Sequence, residues 1–152
     1  MDKPSPQSDM VMYSAHTFSD PTSAQIVTFA HSLLGIPYKV AGKDEQGFDC
    51  SGFVSYVFKK NKVALPSSSK ALILEGREID LEDSAPGDII FFTGTDPNSR
   101  EVGHAGIIVS HTTDSTKFIH SSSARSSAYV KYTVLEASPG YLRRFLKVKR
   151  VL

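Results

Sequence analysis

Only one cysteine, Cys50, occurs in the sequence, so no intramolecular disulfide can form and the usual sign of an oxidising compartment is missing. An excess of charge of one sign is lacking too. Against 17 Lys and Arg stand 16 Asp and Glu, and the formal net charge of +1 is too weak a field to argue for nucleic acid or an anionic membrane as the main partner. Residues 1–20 are polar and rich in Ser, Pro and Asp, without the apolar stretch that a signal peptide or membrane span requires. Such a beginning fits either a chain that starts after signal cleavage or one that never carried a signal. No Gly-rich phosphate loop and no internal repeat are visible. His16, His31 and His111 show no metal-ligand spacing with Cys50, so no metal site is expected.

What is present is a globular composition. With 152 residues, 40% hydrophobic and 22% charged, the chain fits one core of sufficient size to fold without staples. Residues 1–19 have no periodicity and read as a flexible tail, which leaves a single domain over 20–152. Asp20 and Pro21 predict an N-cap and a first helical position, followed by Ile26, Val27, Ala30, Leu33 and Leu34 on one helical face, with Gly35 and Pro37 ending the helix. A glycine-bearing loop at 42–47 leads to Asp49-Cys50-Ser51-Gly52. There Phe53, Val54, Val57 and Phe58 resume the helical spacing, so Cys50 sits at a helix start. The serine run at 67–69 predicts a cap for a short helix through Leu74, stopped by Gly76. After Pro86 the pattern changes to β-rich runs at 88–93, 102–110, 116–121, 129–134 and 145–151. Helices first and strands afterwards argue for an α+β domain with helices packed on an antiparallel sheet.

Two residue types carry the chemistry. A cysteine attacks as thiolate, and the free N–H groups and dipole of a helix N-terminus favour that anion. From position alone, a buried structural cysteine fits Cys50 equally well. His104 lies at the start of an apolar strand among Gly103, Ala105 and Gly106, whose small size leaves room for another element beside the ring. An imidazole there can accept a thiol proton and return it to a leaving amine. His120 ends the next strand. If Val109 pairs with Lys117, Gly106 faces His120, and His104 is its diagonal neighbour on the same face at about 7–8 Å between backbones. The rings can then meet, with His120 holding His104 in one tautomer.

These residues resemble a known family. Gly35-Ile36-Pro37-Tyr38, Phe48-Asp49-Cys50-Ser51-Gly52-Phe53-Val54, Pro86-Gly87-Asp88-Ile89-Ile90-Phe91-Phe92, Gly103-His104-Ala105-Gly106-Ile107 and Phe118-Ile119-His120 are similar, in order and spacing, to the NlpC/P60 cell-wall cysteine peptidases. The resemblance covers roughly residues 20 to 152. It implies a papain-like α+β fold and hydrolysis of peptidoglycan stem peptides at the bond between D-γ-glutamyl and diaminopimelate or lysine, without a cofactor. It also implies Cys50 as nucleophile, His104 as general base and acid, and His120 as the orienting residue. Tyr38 corresponds to a tyrosine that helps hold the oxyanion, while Asp49 and Ser51 border the substrate. Location in the cell envelope and a monomeric state follow as expectations.

The sequence departs from the pattern at Ala41-Gly42, where a Gly pair is usual, and at Ser67 and Leu72, where Arg and Gln are usual. Three other readings share the motif: an antibacterial wall-degrading toxin or lysin, an acyl transferase, and a non-catalytic peptidoglycan-binding domain. Motif order, with the cysteine before the histidine, disfavours the transferase. A thiol that reacts with iodoacetamide well below the pH of a free cysteine is expected of the enzyme. Asp88, after Pro86-Gly87, is assigned to its turn. The basic stretch of Arg143, Arg144, Lys147, Lys149 and Arg150 reads as a solvated edge strand guarded by lysine.

Overall fold

The first helix begins where a side chain can take up its free N–H groups. In the computed structural model, which describes residues 22–152, α1 spans Ser23–His31. Its cap is Thr22: the hydroxyl accepts from Gln25 N at 3.2 Å and the Gln25 amide oxygen accepts from Thr22 N at 2.8 Å. This reciprocal pair displaces the cap expected at Asp20. Asp20, Pro21, His16 and the tail over 1–19 lie outside the described residues. The α1 stripe buries Ile26, Ala30 and Leu33, but Leu34 is exposed because the helix has already given way to turns that end at Gly35, φ +89°.

Two-residue strands β1 (Lys43–Asp44) and β2 (Gly47–Phe48) form the loop before α2, Cys50–Lys60. Ala41, at φ 59°, takes the left-handed backbone that a glycine would hold at less cost. A Cβ on Gly42 would lie 2.3 Å from Gly47 O, and one on Gly52 would lie 2.0 Å from Gly42 O. The loop therefore seats directly on the first turn of α2 through backbone that no side chain separates. Ser68 caps α3, Ser69–Leu72, through Ala71 N at 3.2 Å.

The sheet combines β3 (Arg77–Ile79), β4 (Ile89–Thr93), β5 (Val102–Thr112), β6 (Ser115–Ser121), β7 (Val130–Val134) and β8 (Phe145–Arg150), in the order β3-β8-β4-β5-β6-β7. Each neighbouring pair is antiparallel, as the α+β reading requires. Two short elements escaped the sequence pattern: β3, with two charged residues out of three, and α4, Pro139–Arg144, which is only six residues long. β3 corrects the place of the basic C-terminal strand. β8 lies inside the sheet between β3 and β4, with Arg77 opposite Arg150 and Ile79 opposite Val148. Its Arg150 grips the buried Asp88 carboxylate with two hydrogen bonds, at 2.8 and 2.9 Å, while Asp88 also accepts from Ala85 N at 2.9 Å. Asp88 thus holds its turn as expected and ties it to β8 as well.

The β5–β6 hairpin pairs Ile107 with Ile119 and Ile108 with Phe118, and then Ser110 with Lys117. Val109 does not pair with Lys117, because a bulge takes up one residue there. On the His104 side of the bulge the expected register holds: a Cβ on Gly106 would sit 3.1 Å from the His120 Cβ.

Alternation along the strands gives the sheet two different faces. One packs α1 and α2 against Ile89, Phe91, Ala105, Ile107 and Ile119, all buried together with Phe48, Phe53, Val54 and Val57. The other carries Ile90, Phe92, Ile108, Phe118 and Val148, with Leu135, Tyr141 and Phe145 packed over them.

Candidate active site

Cys50 opens α2 because Asp49, in extended conformation, caps the helix: its Oδ1 accepts from Gly52 N at 2.6 Å. The sulfur is part-buried and lies 3.7 Å from Gly103 O. This carbonyl is one residue before His104. β6 ends at Ser121, whose hydroxyl donates to Phe48 O at 2.8 Å, so the helix start and β2 occupy the end of the sheet beside β5.

His104 is 6% exposed and His120 fully buried. His104 Nε2 and His120 Nδ1 are 2.8 Å apart, with the rings nearly perpendicular at 86°. The far nitrogen of His120, Nε2, lies 2.7 Å from the Thr133 hydroxyl on β7. The result is a continuous hydrogen-bonded chain from the strand beside Cys50 to β7. Thr133 pairs opposite Phe118, and a lone threonine in a strand gave no signal in the sequence.

The pair sits on the sheet face that turns away from α1 and α2. His104 pairs opposite Phe92, with ring centroids 6.0 Å apart, and His120 lies 4.7 Å from Phe118. The first turn of α2 approaches this end of β5 through Cys50, whose sulfur lies 3.7 Å from Gly103 O. The interface between α1, α2 and the opposite sheet face is a closed apolar core. Tyr141 of α4 covers the histidines, 5.7 Å from His104 and 5.4 Å from His120. Arg144 lies 5.2 Å over the Tyr141 ring and donates from Nε to Thr93 O at 3.1 Å. Tyr141 gave no signal in the sequence and Arg144 read only as part of a basic edge strand, because α4 itself was not recognised.

Electrostatics follow from this burial. Desolvation first, and then the Arg144 cation, hold His104 down to about 3. His120 is likewise held well below the ordinary value, by burial and by His104, Lys131 and Arg144. Both rings are neutral at neutral pH. Cys50 departs from the sequence expectation: burial, with the Asp49 carboxylate adding to it, pushes the thiol up, and the opposing N–H groups of Ala105, Ser51 and Cys50 do not compensate. The resting site is a neutral thiol beside a neutral imidazole. Strong alkylation at low pH is accordingly not expected of the free protein.

Tyr38 is half-buried, and its phenol is pushed up by burial, by Cys50 and by Asp49, which places it within the field of both. Ser51 is 4% exposed and donates to Ser67 O at 2.6 Å, fastening the serine loop to α2. His31 and His111 are elsewhere, bonded to Tyr132 at 2.5 Å and Thr116 at 2.9 Å.

Comparison with known proteins agrees with this architecture. The model of the NlpC/P60 family matches residues 35–150. A probable endopeptidase of Mycobacterium tuberculosis is 38% identical over 84 residues, 55% of this chain and 20% of the relative. A gamma-D-glutamyl-L-lysine dipeptidyl-peptidase of Bacillus cereus is 29% identical over 132 residues, 87% of this chain and 37% of the relative. The crystal structure of an NlpC/P60 family protein from Bacillus cereus superposes with a TM-score of 0.76 at 28% identity, over 88% of this chain and 41% of that one. This chain spans less than half the length of each. With the family model matched over residues 35–150 and the fold shared over 88% of it, the chain belongs to the NlpC/P60 family.

Proposed function

We propose that this protein is a cysteine peptidase of peptidoglycan stem peptides, cutting the amide between a D-γ-glutamyl residue and diaminopimelate or lysine. The observation that carries this reading is the juxtaposition of the Cys50 sulfur, 3.7 Å from the carbonyl preceding His104, with the buried chain His104–His120–Thr133. A binding module needs no such proton path. The relatives, a probable endopeptidase and a gamma-D-glutamyl-L-lysine dipeptidyl-peptidase, support the bond class. Action on wall peptide, with membership of a cell-wall hydrolase family, supports the cell envelope as its place of work. Among the described residues no helix is long and apolar enough to cross a membrane.

The hydrogen bonds support one assignment of roles to the ring nitrogens. His104 Nε2 is engaged by His120, which leaves Nδ1 to take the thiol proton. For His104 to keep its Nε2 proton, His120 Nδ1 must accept it, so His120 bears its proton on Nε2 and donates to the Thr133 hydroxyl. Thr133 is a positioning residue that holds the His120 ring in this orientation. When the substrate carbonyl approaches, the Cys50 proton passes to His104 Nδ1 and sulfur attacks carbon. The developing oxyanion is met by N–H groups at the α2 start and by the Tyr38 hydroxyl. Collapse breaks the C–N bond, and His104 protonates the departing amine. Water, losing a proton to His104, then attacks the thioester, which releases the carboxylic acid and regenerates the thiol. The cationic His104 of the intermediate, unfavourable in the empty site, is offset by the sulfur and oxyanion charges formed with it. Asp49 and Ser51 border the acyl side of the substrate, Asp49 while capping α2 and Ser51 while holding the Ser67 loop.

Incubation of the protein and of Cys50→Ala with L-alanyl-γ-D-glutamyl-L-lysine, followed by mass spectrometry, tests the reading. We expect L-alanyl-D-glutamate and lysine from the native protein only. Equal product from both proteins, or none from either, would falsify it.

A further inference from the structure

Next to β4 and the start of β5, the strand that carries His104, lies a cleft that the reaction as described leaves without a use. It has a volume of about 320 Å³ and is lined by Gly94 and Asp96 of the β4–β5 loop, by Arg100, and by Arg143 and Arg144 of α4. Three guanidinium groups face one carboxylate, so the lining is cationic. Ion pairs among the described residues use none of the three.

Two of the three arginines, Arg100 and Arg144, are held in place by backbone. Arg100 donates from Nη1 to Arg143 O and from Nη2 to Phe145 O, both at 3.2 Å, and Arg144 from Nε to Thr93 O at 3.1 Å. A guanidinium has five N–H bonds, so Arg100 and Arg144 keep further donors, and among the described residues the Arg143 side chain makes no hydrogen bond. Asp96 is occupied in part by its own turn, accepting from Asn98 N at 2.9 Å. Fixed forks with unspent donors suit a planar anion with two oxygens, because little side-chain freedom is lost on binding.

The cleft adjoins the reacting groups. Gly94 packs so closely on Gly103 that a Cβ on Gly103 would fall 2.6 Å from the Gly94 Cα, and Gly103 O lies 3.7 Å from the Cys50 sulfur. Neither glycine carries a side chain to stand between sulfur and arginines. On the other flank, Arg144 lies over Tyr141, whose ring is 5.7 Å from His104. The amine side of the cleaved bond must lie towards His104, which protonates it. The acyl side lies towards Tyr38 and Asp49, which share the field of the sulfur.

We infer that the cleft between the β4–β5 loop and α4, lined by Arg100, Arg143 and Arg144, is a subsite for a carboxylate borne on the amine-side residue of the substrate. This rests on the hydrolase reading for the direction of the peptide. It explains why α4 is joined to the loop by arginine-to-carbonyl bonds, and it makes the amine-side charge a determinant of which stem fragments are used.

The test is calorimetric binding to full-length Cys50→Ala, which holds peptide without cutting it. The probes are L-alanyl-γ-D-glutamyl-L-lysine and the same peptide with the lysine carboxylate converted to a carboxamide. The free acid is expected to bind about tenfold more tightly, as loss of one charge-assisted contact implies. Adding Arg143→Glu should erase that preference, with the amide bound as before and the melting temperature unchanged, since the side chain is exposed. Equal affinity for the two peptides, or a preference that survives Arg143→Glu, overturns the subsite. Hydrolysis by the native protein is scored separately, so a failed hydrolase reading and a failed subsite give different results.

Discussion

The two faces of the six-stranded sheet are built from the same strands, often from adjacent residues, and yet they differ in kind. Towards α1 and α2 lie Ile89, Phe91, Ala105, Ile107 and Ile119, buried without a titratable group among them. Towards α4 lie Ile90, Phe92, Ile108 and Phe118, and among them two ionisable rings that share a hydrogen bond. The first face gains stability from area removed from water. The second gives up part of that gain to keep two imidazoles neutral in a dry place, which prepares them to accept a proton when charge appears next to them. Stability and chemistry are thus divided by the pleat, one residue apart.

Substituting across the pleat exposes the division most sharply. His104→Ala should lower kcat/KM by about 10²–10⁴-fold, the usual worth of a general base, in a protein that still unfolds cooperatively. Ile119→Ala, at a fully buried position beside His120, should cost about 2–5 kcal/mol in denaturant unfolding while the folded fraction keeps its native kcat. If the isoleucine variant instead lost its rate and kept its stability, the proposed separation of faces would be wrong.

Thr133→Val should lower kcat by about 2–10-fold with KM little changed, because it removes the hydrogen bond that orients His120, worth about 0.5–1.5 kcal/mol. Thr133→Ser should restore it and return the acid limb of the pH profile to its native position. A valine variant with native kcat would remove Thr133 from the proton path.

A smaller effect appears in stability against pH. Folding depresses both histidine pKa values, His104 to about 3, so the folded state disfavours protons that the unfolded chain accepts below about 6.5. Their contribution is fully present above that pH and is lost as pH falls towards 3, at up to about 1.4 kcal/mol per pH unit for each ring. Urea midpoints at pH 7, 5.5 and 4 should fall less steeply in His120→Gln than in the native protein. Parallel slopes would mean that the rings are not held neutral by burial.

Much of this could be read from residues alone. Phe53, Val54, Val57 and Phe58 announce α2 because a 3.6-residue stripe must face a core, and Asp49 announces its start because a carboxylate satisfies an orphan N–H. The meeting of His104 with His120 was legible as well, since register at the Gly106 end follows from period-2 alternation. The bulge at Val109 was not, because an extra residue in one strand leaves no mark on apolar patterning. β3 and α4 were missed for a related reason: at three and six residues they are too short to establish a period, and they exist through their neighbours. With α4 went Tyr141, Arg144 and the cationic cleft.

Sequence by itself determined the family, the longer helices and strands, and which thiol and imidazoles are candidates for the chemistry, because local periodicity and motif spacing are properties of the chain. Tertiary structure decided the rest. Which sheet face holds the histidines, which nitrogen of each ring is engaged, how burial outweighs the helix start at Cys50, and what stands beside the start of β5 all depend on groups far apart along the chain. Electrostatic energies and hydrogen bonds vary with distance in space, and only folding sets those distances.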